Sequence, residues 1–409
     1  MAAQREHDVV LYGATSFVGS LTAGHLARHA PADARIALAG RSREKLERTR
    51  ASLPAAAHDW PLIVADSSDD AALAAMAAST TALATTVGPY AKYGMPVVEA
   101  CAAAGTHYAD LTGEVQFARE AIDRTDGPAR ESGARIVHSC GYDSIPSDLG
   151  VLMLHSRVQA DGAGGLTDVT MAASVRGGVS GGTIDSLRGE IDAASADRQK
   201  ARVAKSAHSL SPDRASEPDV EQPSDNPLPS RVDGRWTAPF VMASYNTRIV
   251  RRSNGLTGWS YGKDLRYGEV MDCGTSPLGA VAAGAVTAGL GAMVAGLKNS
   301  WTRPLLDRVL PSPGQGPSES TRRNGWFRHV LTATTSTGAH YRGTVAGPGD
   351  PGYAATAVML GEAVLCLGLD GDRLPERAGS LTPATAMGPA LIERLRAQGH
   401  TYEVGASGT

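Results

Sequence analysis

Apolar and polar positions alternate in a regular rhythm through the first third of the chain. Short runs of Val, Ile, Leu and Ala predict strands at Val9–Tyr12, Ile36–Ala39, Leu62–Ala65, Ala82–Val87 and Arg135–His138. The stretches between them predict helices at Phe17–His29, Arg43–Ser52, Asp69–Ala78, Met95–Ala104 and Val115–Arg124. Strands that alternate with helices in this way predict an α/β fold with a doubly wound parallel sheet.

The rhythm changes after Gly150. Residues 168–175 predict a strand, residues 183–207 predict one long helix, and residues 326–345 predict a hairpin. Residues 209–230 are rich in Pro, Ser and acidic side chains and have few apolar anchors. A composition of this kind predicts a long mobile loop.

These patterns divide the chain into three segments. Residues 1–150 are predicted to form the first domain, and residues 151–349 an inserted α+β second domain. In residues 350–409 the apolar positions return to helical spacing, which predicts C-terminal helices that pack back on the first domain. The length of 409 residues is sufficient for two domains of about 150 residues or more.

A glycine-rich turn follows the first predicted strand and opens the first helix. Gly13 permits a tight turn, Gly19 lets the helix pack close to the strand, and Ser16 stands where the middle glycine of the motif is usual. The amides of such a helix N-terminus bind a pyrophosphate, so the turn predicts a Rossmann-type dinucleotide site, and a plain surface turn is the alternative. The candidate cofactor-binding residues here are Gly13, Thr15, Ser16, Phe17, Val18 and Gly19.

The end of the second predicted strand has cations where NAD enzymes place an acid. Arg41 can clamp a ribose 2′-phosphate through its planar guanidinium, and Ser42 can add a hydrogen bond. This position therefore predicts NADP(H), with a solvated arginine at a helix start as the alternative. Asp66, after the third strand, is a candidate for the adenine amino group or for a helix cap.

Polar segments follow the later strands, at the edge where open α/β sheets bind ligands. Val87, Gly88 and Pro89 are predicted to run along the cofactor toward its nicotinamide. Residues 106–114 and 139–148 are predicted to be loops that converge on the same rim. The candidate catalytic residues of this rim are Tyr90, Tyr93, His107, Tyr142 and Asp143.

Charge and cysteine content exclude several other classes of protein. The net charge is -3 and the arginines form no cluster, so nucleic-acid binding is not expected. The four cysteines have no Cys-x-x-Cys spacing, so neither a metal site nor a disulfide scaffold is expected. The N-terminal residues enter a predicted strand without the features of a signal peptide. We therefore expect a cytoplasmic protein.

One apolar segment bears on membrane contact. Residues 277–297 carry no charged side chain over a length that can cross a bilayer, but most of them are Gly and Ala, which contribute little to insertion. The composition favours a buried or interfacial helix over a transmembrane one. Peripheral membrane contact through this segment is a further expectation.

The ordered set of motifs resembles the saccharopine dehydrogenase-like oxidoreductases, and within them the actinobacterial trans-acting enoyl reductases that assist polyketide synthases. The motifs are GATSFVG, AGRS, TVGPYAKYG, THYADLTGE, CGYDSIPSD, GGVSGGT, DPGY and LTPATAMG, in that order. The resemblance extends from Val9 to Gly399. It implies an NADP(H)-binding fold whose second domain is inserted before the C-terminal helices.

The function that the resemblance implies is NADPH-dependent reduction of an enoyl thioester or a lipid-like intermediate, in trans with a polyketide or lipid synthase. The implied partner is an acyl thioester or another small apolar substrate, which an acyl carrier domain can present. A homo-oligomer is a further expectation, which does not follow from the resemblance. Two alternatives stay open. One is a saccharopine-type dehydrogenase or imine reductase acting on an amino acid, and the other is a non-catalytic NADP(H)-binding scaffold.

Enoyl reduction requires a hydrogen-bond donor near the enolate oxygen and a proton at the α-carbon. On this hypothesis Tyr90 or Tyr93 supplies the hydrogen bond. Tyr142 and Asp143 complete the rim, and His107 donates the proton. A structural hydrogen bond is the alternative role for the histidine.

A second glycine-rich segment is a candidate for gripping the substrate. Ser180, Gly181, Gly182 and Thr183 lie at the start of the long predicted helix. Exposed amides at such an end suit an anion or a polarised carbonyl. The alternative is that Thr183 is an ordinary N-cap after a flexible turn.

Overall fold

The structure, a computed structural model, describes residues 5–177, 181–299, 301–306 and 316–406. Its strands form two seven-stranded sheets. The strands are β1 (His7–Tyr12), β2 (Ile36–Gly40), β3 (Leu62–Val64), β4 (Thr80–Thr85), β5 (His107–Ala109), β6 (Arg135–Val137), β7 (Leu166–Arg176), β8 (Ser230–Val232), β9 (Arg235–Pro239), β10 (Arg266–Gly274), β11 (Trp326–Thr335), β12 (His340–Pro348), β13 (Gly379–Leu381) and β14 (Thr401–Ala406).

Helices cover the faces of both sheets. They are α1 (Phe17–His29), α2 (Arg43–Ala51), α3 (Asp70–Ser79), α4 (Tyr90–Tyr93), α5 (Met95–Ala104), α6 (Val115–Ser132), α7 (Ile145–Ala160), α8 (Gly181–Ala196), α9 (Arg198–Lys205), α10 (Ala243–Leu256), α11 (Pro277–Lys298), α12 (Arg303–Leu306), α13 (Glu319–Arg323), α14 (Thr356–Leu369), α15 (Pro383–Ala386) and α16 (Gly388–Ala397). A short π-helical turn, Pro351–Ala355, leads into α14.

The first sheet is parallel throughout and has the strand order β13-β6-β5-β4-β1-β2-β3. The strand order reverses between β1 and β4. The connections that follow these two neighbouring strands therefore run to opposite sides of the sheet, which opens a crevice at the carboxyl ends of the strands. Five of the six residues of β1, and all five of β2, are buried, as expected for strands covered on both faces. The prediction of a doubly wound Rossmann-type sheet is confirmed.

Two strands of this sheet are absent from the sequence prediction. Strand β5 falls inside a segment that was expected to be a loop, and β13 comes from the C-terminal segment, where only helices were expected. Both are three residues long, too short to show a period of two. Strand β13 pairs with β6 through partners such as Gly379 and Arg135, which lie far apart in sequence.

The second sheet is mixed, with the order β14-β12-β11-β7-β10-β9-β8. Strands β7 and β10 are parallel and the other neighbours are antiparallel. The predicted hairpin is confirmed, because β11 and β12 pair along their length and Gly338 turns between them with a φ of 81°. This sheet and its helices form the expected inserted α+β unit.

The expected domain boundary at residue 150 is wrong, because it lies in the middle of α7. A Cβ atom on Gly150 would come within 3.1 Å of Leu331 and 3.2 Å of Val345. The glycine therefore marks a close contact between α7 and the second sheet rather than a break in the chain. The C-terminal segment packs on the first sheet through α14, as predicted, but β14 also joins the second sheet.

Two helix predictions are wrong in length. The predicted helix over 183–207 is two helices, because the Asp197 carboxylate accepts hydrogen bonds from the amides of Gln199 and Lys200 and begins α9 anew. Helix α6 runs past its predicted end through Pro128. Its buried face continues with Thr125 and Ala129, so packing outweighs the local helix-breaking signal.

Residues 209–230 lack long regular elements, as predicted, and side-chain contacts join them to α10. The Asp225 carboxylate pairs with the buried Arg248 guanidinium at 3.0 Å. The Gln222 side-chain oxygen accepts a hydrogen bond from Arg251 at 3.1 Å. These contacts depend on cations from a helix distant in sequence, so the composition of the loop gave no sign of them.

Helix α11 contains the uncharged segment that was expected to be buried or interfacial. Among the described residues, two helical segments are long and apolar enough to cross a membrane. In Pro351–Leu369, 72% of the most apolar stretch is buried, as in a core helix, whereas in α11 only 11% is buried. A buried position for α11 is therefore wrong, and an apolar helix is left on the surface of the described structure.

Candidate active site

The glycine-rich turn closes tightly between β1 and α1. Gly13 has a φ of 83°, and a Cβ atom on Gly19 would lie 2.2 Å from the Gly13 carbonyl oxygen. The Ser16 hydroxyl accepts a hydrogen bond from the Gly19 amide at 2.9 Å and lies 2.8 Å from the Thr86 hydroxyl. Serine in the place of the middle glycine therefore caps α1 and ties the turn to the end of β4.

The residues present fit a dinucleotide. A Cβ atom on Gly13 would meet Thr86 and Val87 at 2.8 Å, so only a bare backbone leaves this space open. The amides of Phe17 and Val18 stand at the first positions of α1, where they have no partner within the helix. They are placed at the switch point between β1 and β4, where a pyrophosphate binds in folds of this kind.

The adenine end lies at the carboxyl ends of β2 and β3. Arg41 is exposed there, and Ser42 caps α2 by accepting a hydrogen bond from the Lys45 amide at 3.4 Å. Asp66 accepts hydrogen bonds from the amide and hydroxyl of Ser68, which lower the pKa of its carboxyl together with a smaller effect of Arg41. The exposed Arg41 side chain is therefore available to bind a 2′-phosphate. The Asp66 carboxylate is already used in hydrogen bonds to Ser68 within its own turn.

A cavity of about 800 Å³ opens beside the glycine-rich turn between β1 and α1. Its near wall comes from the turn, the segment after β4 and the loop before α7, and its far wall from α8, α9, α11 and the second sheet. The predicted residues that line it are Ser16, Phe17, Val18, Gly88, Pro89, Tyr90, Tyr142, Asp143 and Gly182. The volume is in the range of a site for a small-molecule ligand.

Tyr90 reaches the cavity wall, but its hydroxyl is already used. The hydroxyl donates to the Thr85 carbonyl oxygen at 3.1 Å and accepts from the Leu111 amide at 3.1 Å. It therefore joins the end of β4 to the segment after β5. The expected role of Tyr90 as a hydrogen-bond donor to substrate is contradicted by these contacts.

Tyr93 and His107 do not line the cavity. The Lys92 ammonium group lies 5.1 Å from the centre of the Tyr93 ring. His107 begins β5, at the end of the strand opposite the site, and its Nδ1 accepts a hydrogen bond from the Arg135 amide at 3.1 Å. Burial, and then Arg135 and Arg5, lower the pKa of His107 to about 4. The expected role of His107 is wrong, whereas Tyr93 stays a prediction that no contact of the described cavity wall supports.

Tyr142 and Asp143 do line the cavity, as predicted. Burial, with a smaller contribution from Asp110, raises the pKa of Asp143 to about 7. A carboxyl group with this pKa is partly protonated at neutral pH and can give a proton to a substrate. The Tyr142 amide donates to the Thr356 hydroxyl at 3.1 Å, which fixes the loop that carries both residues.

His329 is a site residue that the sequence analysis missed. Its Nε2 lies 2.8 Å from the Tyr142 hydroxyl, and burial lowers the pKa of the imidazole to about 3. Its Nδ1 is buried with no hydrogen-bond partner among the described residues. Because an unpaired buried N–H is rarer than an unpaired acceptor, we assign the proton to Nε2. His329 then donates to Tyr142 and leaves the tyrosine proton available for a ligand.

Three carboxyl groups of the cavity, those of Glu114, Asp185 and Glu190, were also missed. Glu114 accepts hydrogen bonds from the amides of Tyr90 and Ala91 at 3.0 and 2.7 Å, and from the Ser186 hydroxyl at 3.1 Å. It caps α4 and connects that helix to α8. Burial raises the pKa of Glu190, one turn further along α8, to about 7.

The predicted substrate grip is only partly described. Ser180 lies outside the described residues, as does the side chain of Thr183. Helix α8 begins at Gly181, whose amide donates to the Tyr353 hydroxyl at 3.2 Å. Gly182 lines the cavity. The Gly181 amide therefore already has a partner within the protein. Of the four predicted residues, Gly182 remains a candidate for contact with the substrate.

The fold and this site define an NADP(H)-dependent oxidoreductase. Residues 9–137 match the model of the saccharopine dehydrogenase NADP-binding domain. The structure is similar over 98% of the chain, and 99% of the other, to yeast saccharopine dehydrogenase (L-Glu forming), with a TM-score of 0.55 and 13% identity. This likeness shows a shared fold.

Full-length relatives narrow the assignment. A trans-acting enoyl reductase of Mycobacterium tuberculosis (strain H37Rv) is 48% identical over 409 residues, which cover 97% of each chain. One of Mycobacterium ulcerans is 47% identical over 406 residues, 96% of each chain. The chain belongs to the trans-acting enoyl reductases of the saccharopine dehydrogenase-like oxidoreductases, which confirms the resemblance stated from its motifs.

Proposed function

We propose that the chain reduces the carbon–carbon double bond of an enoyl thioester that a separate polyketide or lipid synthase supplies on an acyl carrier domain. The observation that carries the proposal is the cavity. Apolar side chains from α1, from strands of the second sheet and from the segments after β5 and β9 line it beside the cofactor turn, among them Phe17, Leu111, Val175, Phe240 and Met271. A wall of this kind suits an acyl chain.

The charges of the cavity disfavour an amino-acid substrate. Four carboxyl groups line it, those of Glu114, Asp143, Asp185 and Glu190, whereas its described residues include two lysines, Lys205 and Lys298, and no arginine. The two carboxylates of a saccharopine-type substrate would meet an excess of like charge, with only these two lysines of the described wall to pair with. A neutral thioester avoids this repulsion.

The residues of the cavity then have separate roles. NADPH, when bound, supplies the hydride that adds to the β-carbon of the substrate. The Tyr142 hydroxyl, oriented by His329, donates a hydrogen bond to the thioester oxygen as negative charge develops on it. The protonated Asp143 carboxyl gives its proton to the α-carbon and is left as a carboxylate, which takes up a proton from solvent.

We expect the purified chain to oxidise NADPH when it is given a trans-2-enoyl thioester of coenzyme A or of an acyl carrier domain. The measurements are the loss of NADPH absorbance and the mass of the reduced acyl product. Turnover only with a cyclic imine or saccharopine would instead support the amino-acid alternative. Tight NADPH binding without turnover on either class would support the scaffold alternative.

The Arg41→Ala variant is expected to bind NADPH about 10- to 100-fold more weakly, because it loses the charged hydrogen bonds to the 2′-phosphate. NADH binding is expected to change little. Titration followed by nicotinamide fluorescence measures both constants. Arg43→Ala, another exposed arginine at the start of α2, is the matched control and should leave both unchanged. An equal loss for NADPH and NADH would contradict this role of Arg41.

A further inference from the structure

The cavity is bordered by an apolar helix whose most apolar stretch is only 11% buried among the described residues. Helix α11 lies along β9 and β10, with its two ends held by Gly279 and Leu297. It has 22 residues and presents Leu278, 77% exposed, and Val281, 68% exposed. Trp301, just beyond its end, is 90% exposed. Apolar groups of this size on a surface mark a site of contact with another phase or molecule.

A basic helix stands at the same opening. The eight residues of α9, RQKARVAK, contain four cations and no acid. Ala201 and Ala204 of α9 line the cavity together with Val294 and Lys298 of α11, so the two helices border one opening. The cations on the outer face of α9, Arg198, Lys200 and Arg202, are exposed.

We propose that α11, Trp301 and α9 form a docking surface for an anionic lipid interface. Apolar side chains of α11 enter the boundary between headgroups and acyl chains, the tryptophan sits at headgroup level, and the cations of α9 pair with lipid phosphates. The cavity then opens toward the lipid, so an acyl chain can enter it without crossing water. This last step rests on the proposed function, whereas the docking surface does not.

Other occupants fit the surface less well. A 22-residue helix is about 33 Å long, so the apolar part of the surface, a strip about 10 Å wide along α11, covers roughly 330 Å², which is less than half of the ~800 Å² that each partner buries in a standard interface. A two-fold contact between copies would also bring the two basic α9 helices together.

An acidic carrier domain would match the charge of α9 but would leave the apolar side chains of α11 exposed. Since α11 lies flat on the second sheet, it does not span a bilayer.

The test is co-sedimentation of the full chain with large vesicles of phosphatidylcholine, with or without phosphatidylglycerol. We expect binding to the anionic vesicles that weakens as salt rises. Lys200→Glu together with Arg202→Glu should weaken binding about 10-fold or more. Leu278→Glu together with Val281→Glu should weaken it similarly. The matched control is Leu228→Glu, an equally exposed leucine (80%) outside the surface, which should bind like the native chain.

NADPH titration and turnover of a short, soluble enoyl thioester separate this proposal from the proposed function. The surface variants should keep both, because none of the four substituted side chains lines the cavity. Absence of binding to anionic vesicles at low salt would overturn the proposal. So would a concentration-dependent dimer that Leu278→Glu dissociates, or salt-sensitive capture of an acyl carrier domain by a chain that does not bind vesicles.

Discussion

The Gly19→Ala variant is expected to lose NADPH binding and about 2–4 kcal/mol of its free energy of unfolding. The new methyl group would lie 2.2 Å from the Gly13 carbonyl oxygen, 2.8 Å from the Ser16 hydroxyl and 2.9 Å from the Thr86 hydroxyl. The nearest atom belongs to the backbone of the phosphate turn, so it cannot move aside without opening the turn. Fluorescence titration with NADPH and equilibrium unfolding in urea measure the two effects.

Gly24→Ala is the matched control in the same helix. A Cβ atom at Gly24 would first meet the Arg28 guanidinium, at 3.4 Å, which is the far end of a flexible side chain. Because alanine favours a helix over glycine, this variant should unfold with the same free energy or up to about 1 kcal/mol more. NADPH binding that survives in Gly19→Ala, or is lost equally in both variants, would show that close approach at the turn is not what the site requires.

The cofactor end of the site could be predicted because its geometry depends on glycines at fixed positions in the sequence. Gly13 and Gly19 are needed for one tight turn, and that turn follows a strand long enough to be recognised. The same holds for most of the first sheet, whose strands and helices have clear periods. The three-residue strands β5 and β13 have no such period, and they become strands only because buried neighbours pair with them.

The substrate end could be predicted only in part. Tyr142 and Asp143 follow a strand of the first sheet, and the rule that ligands bind at carboxyl ends located them correctly. His107 was misplaced because β5 was taken for a loop, although the residue begins the strand and so lies at its opposite end. Glu190 reaches the cavity from α8, and His329 contacts the Tyr142 hydroxyl from the second sheet, both through packing between segments far apart in sequence. No local pattern marks such residues.

The Asp143→Asn variant is expected to lower kcat by about 100- to 10,000-fold, because an amide cannot give the α-carbon its proton. The folded-state pKa of about 7 is raised above the ordinary value of 3.8, so the carboxyl is protonated below pH 7 and ionised above it. The native kcat should therefore fall as pH rises through 7, and the residual rate of the variant should not show this fall. Initial rates with saturating NADPH and enoyl thioester across this range provide the measurement.

Asp148→Asn tests whether the pH effect belongs to the cavity. Burial raises the pKa of Asp148 to about 7 as well, but Asp148 does not line the cavity and instead accepts hydrogen bonds from Ser253 and the Ala384 amide. Its replacement should cost stability and leave the pH dependence of kcat in place. A native profile in Asp143→Asn, or a flat one in Asp148→Asn, would remove Asp143 as the proton donor.

Tyr142→Phe separates hydrogen bonding from proton transfer. Burial raises the pKa of Tyr142 well above its usual value, so its hydroxyl stays protonated through the pH range in which Asp143 titrates. Loss of a donor to a developing oxyanion should lower kcat about 100- to 1,000-fold without changing the pH at which the rate falls. If Asp143→Asn abolishes the pH dependence of kcat and Tyr142→Phe only lowers kcat, the proton donor is Asp143 and the hydrogen-bond donor to the oxyanion is Tyr142.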